Sequence, residues 1–234
     1  MQSFRSSLLK SRSLSNTVYN NSIIQQVNAK RTVVLASGQR VRGAIRNPDD
    51  ILISKGYKYG ENEENLKIIK NYLKSKLNDK YELPDNLLLQ ILTHKSFAHG
   101  SKPYNEKLSF IGKELLKFNI SKYIINLESD YDFAINKKNF EGLGSFSHKM
   151  TSSDKLLFNY IKSNNLNEIF FCKTAKNQKE DQPSTIYSTI ITSLIGAIAS
   201  KSGKSAAEEF IQTEILPNIL PKVEELRQST VKNV

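Results

Sequence analysis

Two pairs of residues fall at helical spacing inside apolar runs, and their side-chain types decide what chemistry the chain can support. Ser109 and Lys113 lie four apart in Asn105-Glu106-Lys107-Leu108-Ser109-Phe110-Ile111-Gly112-Lys113-Glu114-Leu115-Leu116, and Thr189 and Thr192 lie three apart in Ser188–Ile198. Residues at these separations share one face of a helix. Carboxylates at all four positions, on two facing helices, would form a concentrated negative site for hard divalent cations. Two such ions can activate water and steady the leaving oxygen in phosphodiester cleavage. Three hydroxyls and an ammonium offer no anionic ligand. A divalent ion about 4 Å from the Lys113 ammonium would be repelled by about 8 kcal/mol at an effective dielectric of 20. The acids beside the first pair do not rebuild the site. Glu106 precedes it, and Glu114 is turned about 100° around the helix from Lys113. The only cysteine is Cys172, and with His94, His99 and His148 it does not compose a zinc site.

These positions need helices to hold them. Leu66, Ile69, Tyr72, Leu73 and Leu77 give an apolar face to a helix over about 63–77. Pro84 suits the first turn of a helix over 84–93. Gly100 and Pro103 mark the loop into the helix that carries Ser109 and Lys113, which continues through Phe118 to Ile125. Its apolar residues lie on more than one face, predicting burial on both sides. Residues 126–145 read as a helix–loop–helix transition. A helix over 154–161 has Ser153 as its cap. Residues 173–183 are a polar, charged loop. The helix from Ile186 carries Ile190, Ile191, Leu194, Ile195 and Ile198 at a period near 3.6, Gly203 ends it, and a last core helix spans about 204–215. Pro217 and Pro221 are expected to interrupt the helix before a short polar tail. The fold class is all-α, and no internal repeat is evident.

The segment 105–116 resembles the signature helix of the ribonuclease III family, N-E-R-L-E-F-L-G-D-x-x-L. Two flanking segments resemble the same family in order. Leu87–Phe97 is similar to L-x-x-A-L-T-H-x-S-[YF], and Ser188–Ile198 to D-x-x-E-A-L-I-G-A-I. Ala206 through Pro217 is like the helix that closes the nuclease domain. The resemblance implies a helical endonuclease-type domain over 63–222 in which the four principal metal-binding carboxylates are replaced by Ser109, Lys113, Thr189 and Thr192. It therefore implies no enzyme activity and no metal or other cofactor. It gives His94 a structural role in the Thr-His-x-Ser turn. It also implies pairing through the signature helix, with Phe110 inserting into a partner and Leu108 and Ile111 beside it.

Net charge is +11, from 34 basic and 23 acidic residues. Residues 1–48 hold eight of the basic residues and no acid, leaving 26 basic against 23 acidic, a net +3, in the remainder. Basic, serine-rich, acid-free composition over 1–31, with Phe4, Leu8, Leu9 and Leu14, describes a mitochondrial transit peptide. Residues 32–62 read as a basic extension in which Val33-Val34-Leu35 forms a short strand or anchor. Arg40, Arg42 and Arg46 there are candidate contacts to RNA phosphates. A short tail over 223–234 leaves no room for the double-stranded-RNA-binding module that commonly follows this domain in the family. No apolar run reaches the ~20 residues of a membrane span.

A charge-stripped domain with an import signal resembles the ribonuclease-III-like proteins of fungal mitochondrial large ribosomal subunits. That resemblance implies a non-catalytic building block in the matrix. Its partners would be large-subunit rRNA, a second ribonuclease-III-like ribosomal protein and other large-subunit proteins. The alternatives are a mitochondrial ribonuclease III-type processing enzyme and its non-catalytic adaptor subunit.

Overall fold

A computed structural model describes residues 33–34, 40–41, 52–77, 80–129, 131–132, 134–173 and 184–232. The chain divides into two units, Met1–Asn47 and Pro48–Val234. In the first, β1 (Val33–Val34) pairs antiparallel with β2 (Arg40–Val41), so the expected strand at Val33 forms. Residues 1–31, where a transit peptide is expected, Arg42, Arg46 and most of the loop 173–183 lie outside the described residues.

Among its described residues, the second unit is helical apart from one hairpin. β3 (Ile53–Ser54) and β4 (Tyr57–Lys58) are joined by Lys55 and Gly56, at φ 51° and 89°. Two consecutive left-handed residues make the turn whose twist suits paired strands. Residues 52–62, assigned by composition to the arm, instead belong to this unit. Tyr59 packs its ring against Phe97 and Phe171, each at 5.3 Å. Ser54 Oγ lies within reach of the carbonyls of Phe170 and Cys172, at 3.4 and 3.3 Å. Three aromatic residues far apart in sequence close this corner, a relationship that local composition does not carry.

Helix α1 (Glu63–Leu77) begins with two acids and ends with two lysines, complementing its dipole. Its apolar face buries Leu66, Ile69, Tyr72 and Leu73 as expected. α2 (Asp85–Ile91) is shorter than the sequence suggests. Pro84 is its extended cap, at ψ 150°, and Leu92 its last cap. The chain leaves the helix there because Leu92 and His94 exchange backbone hydrogen bonds with Phe171, at 2.8 and 2.9 Å. α3 (Glu106–Asn126) follows. The described residues of 127–145 form a loop with a short turn at Ile135–Lys137, and α4 (Phe146–Thr151) starts only after it. α5 (Asp154–Ser163) has the expected cap, with Leu156 N–H donating to Ser153 Oγ.

The long helix α6 (Ser184–Ser202) is the centre of the unit. Ile190 through Ile198 are all buried. A helix apolar on every side belongs inside, and α2, α3, α5 and α7 (Lys204–Phe210) pack around it. Gly203, at φ 91°, makes the break between α6 and α7.

Pro217 and Pro221 do not end the last helix. α7 passes through a π-helical turn (Ile211–Ile215) into α8 (Leu216–Lys232), with Pro221 inside it. The wider turn resets the hydrogen-bond ladder just before Pro217, and Asn218 Nδ2 donates to the Glu214 carbonyl at 2.6 Å. Burial of Leu216, Ile219 and Val223 offsets a proline penalty of about 3 kcal/mol. The boundary expected at 222/223 thus falls within α8, and the polar tail is helical to Lys232.

Candidate functional site

The site is built on the crossing of α3 and α6. A Cβ placed on Gly112 would lie 1.8 Å from the Thr192 carbonyl oxygen, and one on Gly196 would lie 2.0 Å from that of Leu108. The two backbones therefore touch, and only glycine fits at either position. That contact brings the two chemistry-bearing pairs together. Ser109 Oγ and Thr192 Oγ1 are 2.7 Å apart and buried. Thr192 Oγ1 also lies 3.2 Å from the Ser188 carbonyl and 3.3 Å from that of Thr189. Those carbonyls and Ser109 Oγ are alternative acceptors for the threonine proton, and either hydroxyl can donate across the crossing.

Thr189, one turn earlier, is held differently. Asn105 Nδ2 donates to Thr189 Oγ1 at 3.1 Å and to the Ile91 carbonyl at 3.1 Å. Thr189 Oγ1 donates to the Ile186 carbonyl. Lys113, one turn beyond Ser109, reaches α5, where its Nζ is 3.8 Å from Asp154 Oδ1. Ser188 Oγ donates to the same oxygen at 2.8 Å. The structure brings Ser109 and Thr192 into direct contact and ties Thr189 and Lys113 to other partners. Asn105, Asp154 and Ser188 complete the constellation, and spacing did not single them out. Asn105 opens the signature run, but Asp154 follows an ordinary helix cap and has no sequence signal linking it to Lys113.

The donor set is four hydroxyls, one amide, one ammonium and one carboxylate. The ammonium already faces the carboxylate, so this set does not fit a divalent cation, which needs several anionic oxygens. Glu106 and Glu114 point elsewhere, paired with Lys95 at 2.9 Å and Lys117 at 2.8 Å. Among the described residues, no group of three or more His, Cys, Asp or Glu side chains is placed to share a metal ion.

His94 sits in a closed turn beside the site. Ser96 N–H donates to His94 Nδ1 at 3.1 Å, and Ser96 Oγ lies 2.9 Å from the same nitrogen. Lys173 N–H donates to Ser96 Oγ at 3.0 Å. An accepting Nδ1 requires the neutral ring with its proton on Nε2. Burial lowers the His94 pKa below its ordinary value; Glu106 pulls the other way, and Lys95 reinforces the fall. Cys172 is buried and its thiol pKa raised by burial.

The outward face of α3 is open, against the expectation of burial on both sides. Phe110 is 69% exposed, Phe118 49% and Ile111 43%. Leu108 is half-buried against the core and does not join this face. Lys204 Nζ lies over the Phe118 ring at 4.7 Å. Arg40 is placed only as the partner of Val34 in β2. No described helix is long and apolar enough to cross a membrane.

A family model described as ribonuclease-III-like matches residues 84–219. Ribonuclease 3 of Caldanaerobacter subterraneus subsp. tengcongensis is 42% identical over 65 residues, covering 26% of this chain and 28% of that protein. Ribonuclease 3 of Pelagibacter ubique is 29% identical over 139 residues, covering 59% and 58%. The chain thus spans well under two thirds of the length of these relatives. Among solved structures, the nuclease domain of ribonuclease III from Campylobacter jejuni is similar, at 28% identity and a TM-score of 0.50. That match covers 67% of this chain and 98% of the domain, whose structure concerns flexibility in a region involved in dimer formation.

Proposed function

The chain belongs to the ribonuclease-III-like family, and on that premise we propose that it is a non-catalytic member working as a building block of the mitochondrial large ribosomal subunit. There it binds rRNA and pairs with a second ribonuclease-III-like protein. The observation that carries the reading is the closed hydrogen bond between Ser109 and Thr192, at positions where the family signature places acids. Lys113 adds a cation in the same cleft, held by Asp154. Cleavage through this cleft would need metal ions that these side chains repel or leave unligated.

Two further features support the assembly role. Phe110 and Ile111 leave an apolar stripe on α3 that a partner would cover, and the Campylobacter domain has a dimer-forming region of its own. The acid-free, basic segment over residues 1–31 suits import, and Arg40, Arg42 and Arg46 in the extension that follows suit phosphate contacts in the mature particle.

Mass spectrometry of purified mitochondrial large subunits tests the proposal, with sedimentation of the tagged chain beside it. The chain is expected among the subunit proteins and in the heavy fractions. An adaptor for a separate nuclease would remain in light fractions. Magnesium-dependent cleavage of double-stranded RNA by the pure protein, abolished by changes in this cleft, would establish the enzyme instead.

A further inference from the structure

Helix α1, the segment leading into α2 and the last turn of α6 surround a hollow of about 600 Å³. Its floor is apolar, built by Leu73, Leu83 and Leu88, all buried. Asn71 and Lys74 of α1, Glu82 of the connecting segment and Lys201 of α6 stand on its rim, all exposed. Lys201 lies nine residues past Thr192, roughly 14 Å along α6, so the hollow is separate from the cleft at Ser109. Tyr81 fixes one wall, with its hydroxyl 3.2 Å from the Ala206 carbonyl and 3.1 Å from Glu209 Oε2. A hollow held open by such contacts receives a ligand without the cost of ordering itself first.

The rim charges stand alone. Among the described residues, Lys74, Lys201 and Glu82 have no ion-pair partner. Neighbouring lysines do. Lys70 lies 2.7 Å from Asp85, Lys80 pairs with Glu209, and Lys204 lies 3.4 Å from Glu208. Lys67 is exposed and, among the described residues, also without an ion-pair partner. It precedes Lys74 by two turns on the same face of α1, roughly 10 Å away. Free cations therefore lead along α1 to the hollow, and Lys201 supplies another from α6.

Chemistry selects the ligand. Lysine ammoniums bind phosphate oxygens as point charges. The apolar floor suits the flat face of a ring. An acidic peptide would bring its carboxylates against Glu82, whereas a nucleobase offers it amino groups. Glutamate accepts from the cytosine amino group, and asparagine pairs with the adenine edge. A nucleotide meets all three requirements, with phosphate on lysine, ring on the floor and base edge at Asn71 and Glu82. The base must be unstacked to enter, as in the single-stranded loops and bulges that proteins read in RNA. Lys67 carries the cationic row beyond the length of one nucleotide, which suits a strand tracking the surface rather than a free nucleotide.

We infer that this hollow seats an unpaired nucleotide of an RNA strand, with Lys67, Lys74 and Lys201 on its phosphates. The inference deepens the rRNA binding proposed above and rests on that reading for the source of the RNA. The test titrates the full-length protein into a fluorescent single strand of about 12 nucleotides carrying 4-thiouridine, between about 50 and 200 mM salt. The double variant Lys74→Gln, Lys201→Gln is expected to bind about tenfold more weakly at the lowest salt. Its slope of log K on log salt should fall by about 1.4, two phosphate contacts at about 0.7 each. Lys155→Gln with Lys162→Gln, an equal loss of exposed charge on α5, should change neither. Irradiation should link 4-thiouridine to the peptide spanning Tyr81–Leu88. Equal weakening by the two double variants, or no adduct at that peptide, would overturn the inference. Polyglutamate competing as well as RNA would make the hollow a protein contact, and a nucleoside monophosphate competing as well would make it a free-nucleotide site; either overturns it. The assay contains no ribosome, so its failure leaves membership of the large subunit standing, and the chain's absence from that subunit leaves the hollow standing.

Discussion

Ser109 Oγ and Thr192 Oγ1 share a 2.7 Å hydrogen bond across the α3–α6 crossing, one turn from the glycines that bring the two backbones into contact. Two neutral groups that satisfy each other leave nothing for a cation to complete. The cleft is therefore a piece of the core, and its substitutions should behave as core substitutions do.

Thr192→Val removes a hydroxyl while keeping shape, and is expected to cost about 1 kcal/mol. Thr192→Glu buries an unpaired carboxylate beside Ser109 and is expected to cost 3 kcal/mol or more, on the order of a broken buried pair. Urea unfolding of both variants measures the difference. Magnesium that stabilised the wild-type protein through this cleft would contradict the account.

Gly196→Ala sets a methyl 2.0 Å from the Leu108 carbonyl oxygen, a clash with backbone that cannot rotate away. A loss of about 3 kcal/mol or more is expected, at the upper end for overpacking. In a unit of this size each kcal/mol moves the melting temperature by about 2–4 °C. A Gly196→Ala variant melting within a degree or two of wild type would mean the helices are not in contact.

The His94 pKa is lowered in the folded protein, so the neutral ring is favoured by folding. Its contribution to stability is fully present above the unfolded value of about 6.5 and is lost as pH falls through the lower folded value. The melting temperature is expected to decline as pH falls from 7 toward 5, above the carboxylate range. His94→Gln, which cannot titrate, should flatten that decline. An unchanged slope would remove His94 as its cause.

Phe110→Asp touches a side chain 69% exposed on the isolated chain. Stability of the monomer should change by no more than about 0.5 kcal/mol, while association with a partner weakens strongly, since burying a phenylalanine contributes roughly 1.5–3 kcal/mol. Analytical ultracentrifugation of the reconstituted pair and thermal unfolding of the single chain read the two effects separately. Equal pairing by wild type and variant would move the interface elsewhere.

Pro221 is exposed within α8. Pro221→Ala restores a helical N–H and should stabilise the chain by about 1–3 kcal/mol. Calorimetry giving no gain would show that the helix is already bent to suit the proline.

Much of the fold was legible because it is local. The faces of α1 and α6, the Ser153 cap and the break at Gly203 all follow from periodicity and from residues that favour particular backbone angles. The candidate site was half legible. Spacing of three and four placed Ser109 with Lys113 and Thr189 with Thr192, but nothing along the chain joined Lys113 to Asp154, 41 positions away. The prolines misled because proline is a strong local signal against helix, and a π-helical turn with the buried residues around it outweighs that signal only in the folded chain.

The sequence by itself determined which side chains stand at the four positions, and with them the absence of an anionic donor set there, since ligand chemistry is a property of residue type. It also determined the helices, whose apolar periods are written into the chain. Only the tertiary structure decided that Ser109 meets Thr192, that residues 52–62 join the folded unit and that Phe110 faces outward. Each of those depends on how closely distant segments approach, which hydrophobic burial and backbone contact at Gly112 and Gly196 fix together and no single segment specifies.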